Sequence, residues 1–322
     1  MIYFHRVYCV ISGVVARYLL LVVLFSLSLP AVTAAPLDVA CFPKGDDNIF
    51  HFHHILVDGN VLLRIQSGQD YAFDAVSWGD KRLLKQLQIR TTSGSLVIKR
   101  QPMYGWLSRV GCYLSFGQWD HACLALAPIQ LSVTLPQLDS LSLRGRSQAF
   151  FNHFNAKRLA ISLSDRSQLM HFEGHVRDLS IELAQHSKIR QLSILRHLQR
   201  LQLSLMQDAS IHQLYLPQGG NQLDVNMANR SQVRHLYGSV QSIKLTQSGS
   251  SNFNGEGLLA EEINLLAGDT SNARVRVGQR LNARLTGSAH VSYLTQGRPQ
   301  ISLDQSPFSA VTSLSETSQS NS

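Results

Sequence analysis

The sequence predicts an all-β chain: a single-stranded, right-handed parallel β-helix (β-solenoid) of about nine coils, preceded by short N-terminal strands. Three observations carry this. An apolar pattern returns about every twenty residues from Leu141 onward. Its copies agree column by column. Charged residues make up only 16% of the 322 residues, against roughly 25% in an average soluble chain. That composition excludes a disordered polyelectrolyte and a coiled coil.

Each copy reads apolar-x-apolar-x-(apolar or small), then three residues, a small residue, one more and an apolar residue. The first column is Leu141, Leu159, Leu179, Leu201, Leu223, Ile243, Ile263, Leu281 and Ile301. Starts are 18, 20, 22, 22, 20, 20, 18 and 20 residues apart. No spacing is odd, as period-2 alternation in an extended coil prefers. Eight residues on stand Ala149, Ser167, Ser187, Ala209, Ser231, Ser251, Ser271, Ala289 and Ser309, all Ala or Ser. Ten residues on stand Phe151, Leu169, Ile189, Ile211, Val233, Phe253, Ala273, Val291 and Val311, all apolar. Before the small column lies a polar or turn-forming one: Ser147, Asp165, Gln185, Gln207, Asn229, Gly249, Asp269, Gly287 and Pro307.

These columns have a physical reading. Alternate residues of one strand point inward, while Ser142, Lys244 and Asn282 point out. The polar column is a bend, and the small column sits inside it, where a large side chain has no room. The apolar column opens a second strand toward the same interior. Coils stacked about 4.8 Å apart put like on like and bury a continuous core. Nine coils make a stack about 40 Å long at that spacing. A leucine-rich repeat would need an asparagine ladder after the strand, and only Asn229 is placed to serve.

Residues 1–34 read as a secretory signal peptide. His5, Arg6 and Arg17 precede the apolar run Tyr18–Leu29, Pro30 closes it, and Val32 and Ala34 are the small residues before cleavage after Ala34. An uncleaved anchor from Val7 to Leu29 is the rival. Residues 35–47 are a linker. The expected location is therefore outside the cytosol: periplasm, outer surface or secreted, with no integral membrane domain once the signal is removed.

Of four cysteines, Cys9 lies in the signal. Cys112 and Cys123 bracket an aromatic loop within the insertion 102–128, and an oxidising compartment favours a local disulfide between them. Cys41 is then left over: free, paired or lipidated. A zinc site at Cys112, His121 and Cys123 lacks an obvious fourth ligand.

Ahead of the repeat, Ile55–Ile65 reads as two strands around Asp58-Gly59-Asn60. Tyr71–Val76 is another, Gly79–Leu87 a helical turn or loop, and Leu96–Lys99 a strand. Gln130–Pro136 leads into the first coil. Four stretches resemble a known family: Gly79-Asp80 with Leu83-Leu84, Leu87, Ile89, Gly94 and Leu96-Val97-Ile98; Val133–Leu138 through Leu141 to Gly145; Leu281–Val291; and Tyr293, Gly297, Pro299 and Ile301. The family is the bacterial GIN domain, described as an autotransporter adhesin head. The resemblance spans nearly all of 50–311 and implies the β-solenoid, an envelope location and adhesion. One departure stands out: the Gly-Ser-Gly-Asp turns typical of the family are mostly replaced, as by Asp165-Arg166-Ser167-Gln168 and Gln185-His186-Ser187-Lys188. The GIN-type domain is set at 48–311, with a disordered, Ser-rich tail at 312–322 too short for an autotransporter barrel.

The candidate site residues are few. His51, His53 and His54 tempt as metal ligands, but an exposed strand is the simpler account, so no metal or cofactor is expected. A polysaccharide-cleaving β-helix enzyme needs paired carboxylates. Asp165, Asp178, Asp208, Asp224, Asp269 and Asp304 are scattered over different columns, and no catalytic residue is assigned. The net charge is +8. Arg144, Arg146, Arg158, Arg166, Arg177, Arg190, Arg196 and Arg200 suit anionic glycans, lipopolysaccharide or nucleic acid, or else form a solvated face. Nucleic acid is not expected, because basic and aromatic residues are not interleaved. The sequence thus points to a non-enzymatic envelope binding or adhesion module with a glycan or surface component as partner. A structural envelope protein, assembling through solenoid ends, is the other reading.

Overall fold

A computed structural model of the chain describes residues 52–76, 84, 86–100 and 128–314. Contacts divide the chain into Met1–Pro36 and Leu37–Ser322, and all that follows concerns the second unit. The signal peptide, Cys9, Cys41, His51 and residues 315–322 of the tail lie outside the described residues. So does the expected disulfide between Cys112 and Cys123.

The chain builds a parallel β-solenoid of about nine turns. Two walls face each other across one core. Wall one runs β7 (Ser140–Arg144), the C-terminal halves of β8 (Gln148–Leu163) and β9 (Gln168–Leu183), β11 (Arg200–Leu205) and β13 (Gly220–Met227). It continues through the C-terminal halves of β14 (Gln232–Gln247), β15 (Asn252–Ala267) and β16 (Asn272–Leu285) to β18 (Gln300–Gln305). Wall two takes the N-terminal halves of the long strands, with β10 (Lys188–Ile194), β12 (Ser210–Tyr215), β17 (His290–Thr295) and β19 (Ala310–Leu314). β8, β9, β14, β15 and β16 turn the far corner without a break.

The near corner explains the polar column. Gly145, Asp165, Gln185, Gln207, Asn229, Gly249, Asp269 and Gly287 all have φ between 59° and 71°. That left-handed conformation favours Gly, Asn and Asp. At 249 and 287 only glycine fits. A Cβ on Gly249 would meet Asn229 Cα at 2.8 Å, and one on Gly287 would meet Asp269 backbone at 2.9 Å. Asp165 and Asp269 each reach back one coil, accepting hydrogen bonds from Gly145 N at 2.9 Å and Gly249 N at 2.7 Å.

The register of the first coil corrects the sequence reading by two residues. Leu141 pairs with Ile161, not Leu159. The first left-handed residue is therefore Gly145, the first small residue is Ser147 (fully buried), and the first apolar residue is Ala149. The first spacing is 20, not 18. A two-residue shift leaves every side chain on the same face, so alternation alone does not reveal it. The remaining columns stand in register as read.

The N-terminal strands join the stack out of chain order. β1 (His54–Asp58) lies between β5 (Ser95–Arg100) and β7, while β2 (Val61–Ser67) lies between β6 (Ile129–Leu135) and β8. The first layer in sequence is thus the second in space. β6 leads along the chain into β7 of the first coil, but in space it stacks beneath β2, with the β1–β2 layer intervening. Beyond it, β3 (Ala72–Val76) pairs antiparallel to β6 and β4 (Leu87–Thr92) antiparallel to β5, covering that end's edges. β4 was not anticipated as a strand. Buried Arg100 fastens the β1–β2 turn by donating from Nη1 to Asn60 O at 2.9 Å and from Nε to Gln86 Oε1 at 3.1 Å. Its burial lowers the guanidinium pKa from the usual value.

Leu159, Ile161 and Leu163 and their equivalents fill the core from wall one. Phe151, Phe154 and Phe172 fill it from wall two, with ring centroids 5.2 and 5.1 Å apart. Toward the C-terminal end Ala273 and Ala283 take such places, in keeping with the shorter, 18-residue coil there.

Candidate functional site

With the interior packed and the columns in register, function falls to the outward residues. Outward neighbours on wall one are charge-matched. Asp178 lies between Arg158 and Arg200 in register, Arg280 reaches Glu262 at 3.4 Å, and Arg284 reaches Asp304 at 3.3 Å. Arg200 contacts Asp224 at 4.0 Å and Gln222 at 3.1 Å.

Wall two is different. Ile189, Ile211 and Val233 stack inward, so the residues after them, Arg190, His212 and Arg234, form one outward column about 4.8 Å per step. Asn254 and Arg274 extend it. Lys188 stands in the adjacent column, and neither column contains a carboxylate in its described residues. Burial lowers the His212 pKa from its ordinary 6.5, and the charges of Arg234, Lys188, Arg190 and His235 lower it further. Arg234 donates to Gln232 Oε1 at 2.9 Å, a neutral partner.

One residue past the next inward position comes an aromatic platform. Inward residues there are three apart (Ile211 to Leu214, Val233 to Leu236), so the strand bends and turns its following side chain to solvent. Tyr215 and Tyr237 are paired in register and stack with centroids 5.2 Å apart at 15°. Both are exposed, at 37% and 42%. His235 lies nearly parallel to Tyr237, at 6.5 Å and 10°. The following coil carries Gly257 where a third side chain would stand. A Cβ there would meet Tyr237 Cδ1 at 2.8 Å, so its absence leaves room for the tyrosine ring. A recess of about 290 Å³ opens beside it, lined by His235, Tyr237, Asn254, Glu256, Gly257 and Arg276, with the Leu236 backbone strand as floor.

A second groove of about 800 Å³ follows the near corner, past Gln185, Gln207, Asn229 and Gly249. Its charges are matched within it: Asp208 holds Arg230 at 2.8 Å and His186 at 3.5 Å.

The residues singled out in the sequence are dispersed. His54 bonds Ser140 Oγ through Nδ1 at 2.8 Å. Among the described residues no group of three His, Cys, Asp or Glu is arranged to hold a metal ion. Asp178 is held by Arg177 at 3.1 Å, and the other five aspartates by the amides and cations already named. Of the eight arginines, Arg190 alone joins the wall-two column with His212 and Arg234. The platform was missed. Its signal was present, since Tyr215 and Tyr237 both stand fourteen residues after their first-column leucines. Among the described residues no helix is long and apolar enough to cross a membrane.

Solved structures share the fold. A putative adhesin from Parabacteroides merdae ATCC 43184 shares 10% identity at TM-score 0.53, covering 83% of this chain and 93% of that one. Another, from Parabacteroides distasonis ATCC 8503, shares 12% at TM-score 0.52, covering 82% and 92%. At these identities the likeness shows the fold alone. No curated relative matches the sequence. The model of the family described as "Putative auto-transporter adhesin, head GIN domain" matches residues 51–297, most of the chain, and the chain belongs to that family.

Proposed function

We propose that this protein is an exported binding module of the bacterial envelope or cell surface, adhesive and not catalytic, that meets its ligand with the outer face of wall two. The observation that carries this reading is the exposed, stacked pair Tyr215 and Tyr237. Exposed aromatics that share a rigid sheet offer apolar contact area at little entropic cost. The family's adhesin description and the signal-like residues 1–34 agree with it. The test is retention of the purified chain on envelope fractions and on an array of surface glycans. Specific retention that Tyr237→Ala removes, without product release, is expected. Turnover of a bound glycan, or a cytosolic chain in fractionated cells, would overturn the reading.

One observation favours the assembly alternative. Among the described residues the last coil is uncovered: β18 is exposed throughout, as are Ile301, Leu303 and, at 82%, Phe308. Uncovered edges invite pairing. Sedimentation of the wild type against Leu303→Lys decides whether this end joins copies; a monomer in both cases removes the alternative.

A further inference from the structure

We propose that the ligand is an acidic polysaccharide, its sugar rings lying on Tyr215 and Tyr237 and its anionic groups on the column Arg190, His212 and Arg234. The assignment rests on the binding-module reading and names its ligand.

The argument begins with a cost. Like charges directly opposite across strands destabilise a sheet. Wall one avoids them by setting Asp178 between Arg158 and Arg200 and Glu262 against Arg280. Wall two gathers the cations Arg190, Arg234 and Lys188 around His212, whose protonation they oppose, with no carboxylate in either column. A bound anion relieves that repulsion, and the fold itself supplies none there.

The second part is shape. A pyranose ring has an apolar face, which suits a flat aromatic surface, and a rim of hydroxyls, which needs polar partners. The two tyrosines supply the surface over two successive coils. Asn254 and Glu256 at the recess supply an amide and a carboxylate to receive hydroxyls. Arg234 precedes Tyr237 by three residues, about 10 Å of extended strand, so a ligand touching both must be an oligomer and not a single sugar. Both columns run along the solenoid axis, and a linear polymer crossing them along the strand direction meets them in succession. Arginine also pairs carboxylate or sulfate groups in a two-pronged manner.

Three polymers test this with the intact chain. Polygalacturonate carries rings and charge, its fully methyl-esterified form carries rings without charge, and polyglutamate carries charge without rings. The expected result is binding of polygalacturonate that weakens with salt, about tenfold weaker binding of the ester, and little binding of polyglutamate. Tyr237→Ala and the double variant Arg190→Gln/Arg234→Gln each weaken polygalacturonate binding about tenfold, while Arg280→Gln on wall one leaves it unchanged. Thermal unfolding of every variant confirms that the fold persists. Equal binding of acid and ester, equal binding of polyglutamate, or failure of all three polymers overturns the acidic-polysaccharide assignment. Retention on envelope fractions is read separately: if it persists and needs Tyr237, the binding-module reading stands without this ligand, and if it is absent, that reading falls too.

Discussion

Two walls built from the same coils, packed on the same core, present opposite outer faces. On wall one, charges alternate from coil to coil and neutralise each other, as in Glu262–Arg280 and Arg284–Asp304. On wall two, Arg190 and Arg234 flank His212 and oppose its protonation, with no carboxylate in the column, beside an aromatic pair. Parallel in-register stacking forces like positions into contact, so a repeat protein must vary its outward residues to avoid repulsion. Where it does not, the exception marks a surface shaped by something other than stability.

The comparison is open to experiment in several ways. The largest expected effect tests whether the walls share one cooperative core. Phe172, fully buried against Phe151, becomes Ala at a cost of about 3–5 kcal/mol. Denaturant unfolding followed by a probe on each wall checks it, and both probes should shift together. Separate transitions would mean two independent units.

Next is Gly257→Ala. The added methyl would lie 2.6 Å from Leu236 O and 2.8 Å from Tyr237 Cδ1. It should cost about 1–3 kcal/mol and turn the Tyr237 ring off the platform. Ligand loss, with both walls still unfolding together at a lower denaturant concentration, is the expected signature.

Charge reversal gives a smaller effect of opposite sign on the two walls. Arg280→Glu sets like charges against Glu262 and should destabilise by roughly 0.2–1 kcal/mol; Arg234→Glu places an acid within a basic column and should stabilise by a similar amount. His212 reports the same field. Its pKa lies below the ordinary 6.5, first through burial and then through Arg234, Lys188, Arg190 and His235. The unfolded chain therefore takes up that proton more readily. Stability from this group is full above about pH 6.5 and falls as pH drops through the unfolded value toward the lower folded one. NMR titration should show the His212 midpoint rise in Arg234→Glu.

The smallest effect lies at the corner the walls share. The hydroxyls of Ser187, Ser231 and Ser271 are buried without a hydrogen-bond partner, and Ala209 and Ala289 occupy the same column. Replacing any one by Ala should change stability by under about 0.5 kcal/mol, measured by thermal melts. A large loss would show that the column is fixed by hydrogen bonding and not by space.

How far the sequence could be read follows from the same physics. The first, small and apolar columns are legible because burial and stacking leave each position few choices: Leu or Ile, Ala or Ser. The register of the first coil was not, because Gly145–Ser147–Ala149 and Ser147–Ala149–Phe151 fit the pattern equally when shifted by two. Nor was the insertion of β1 and β2 between later strands, since local pattern carries no record of which coil lies above which. Tyr215, Tyr237, His212 and Arg234 escaped for another reason. Outward positions are under no packing constraint, and the strand bend between Val233 and Leu236 breaks the alternation that would have marked them.

The account turns on the claim that the outer face of wall two is a ligand surface held at a cost in stability. Measuring Arg234→Glu and Arg280→Glu side by side, for melting temperature and for polygalacturonate binding, tests it most directly. The prediction is that Arg234→Glu melts higher and loses the ligand, while Arg280→Glu melts lower and keeps it. An Arg234→Glu protein that melts lower and binds as well as wild type would contradict it.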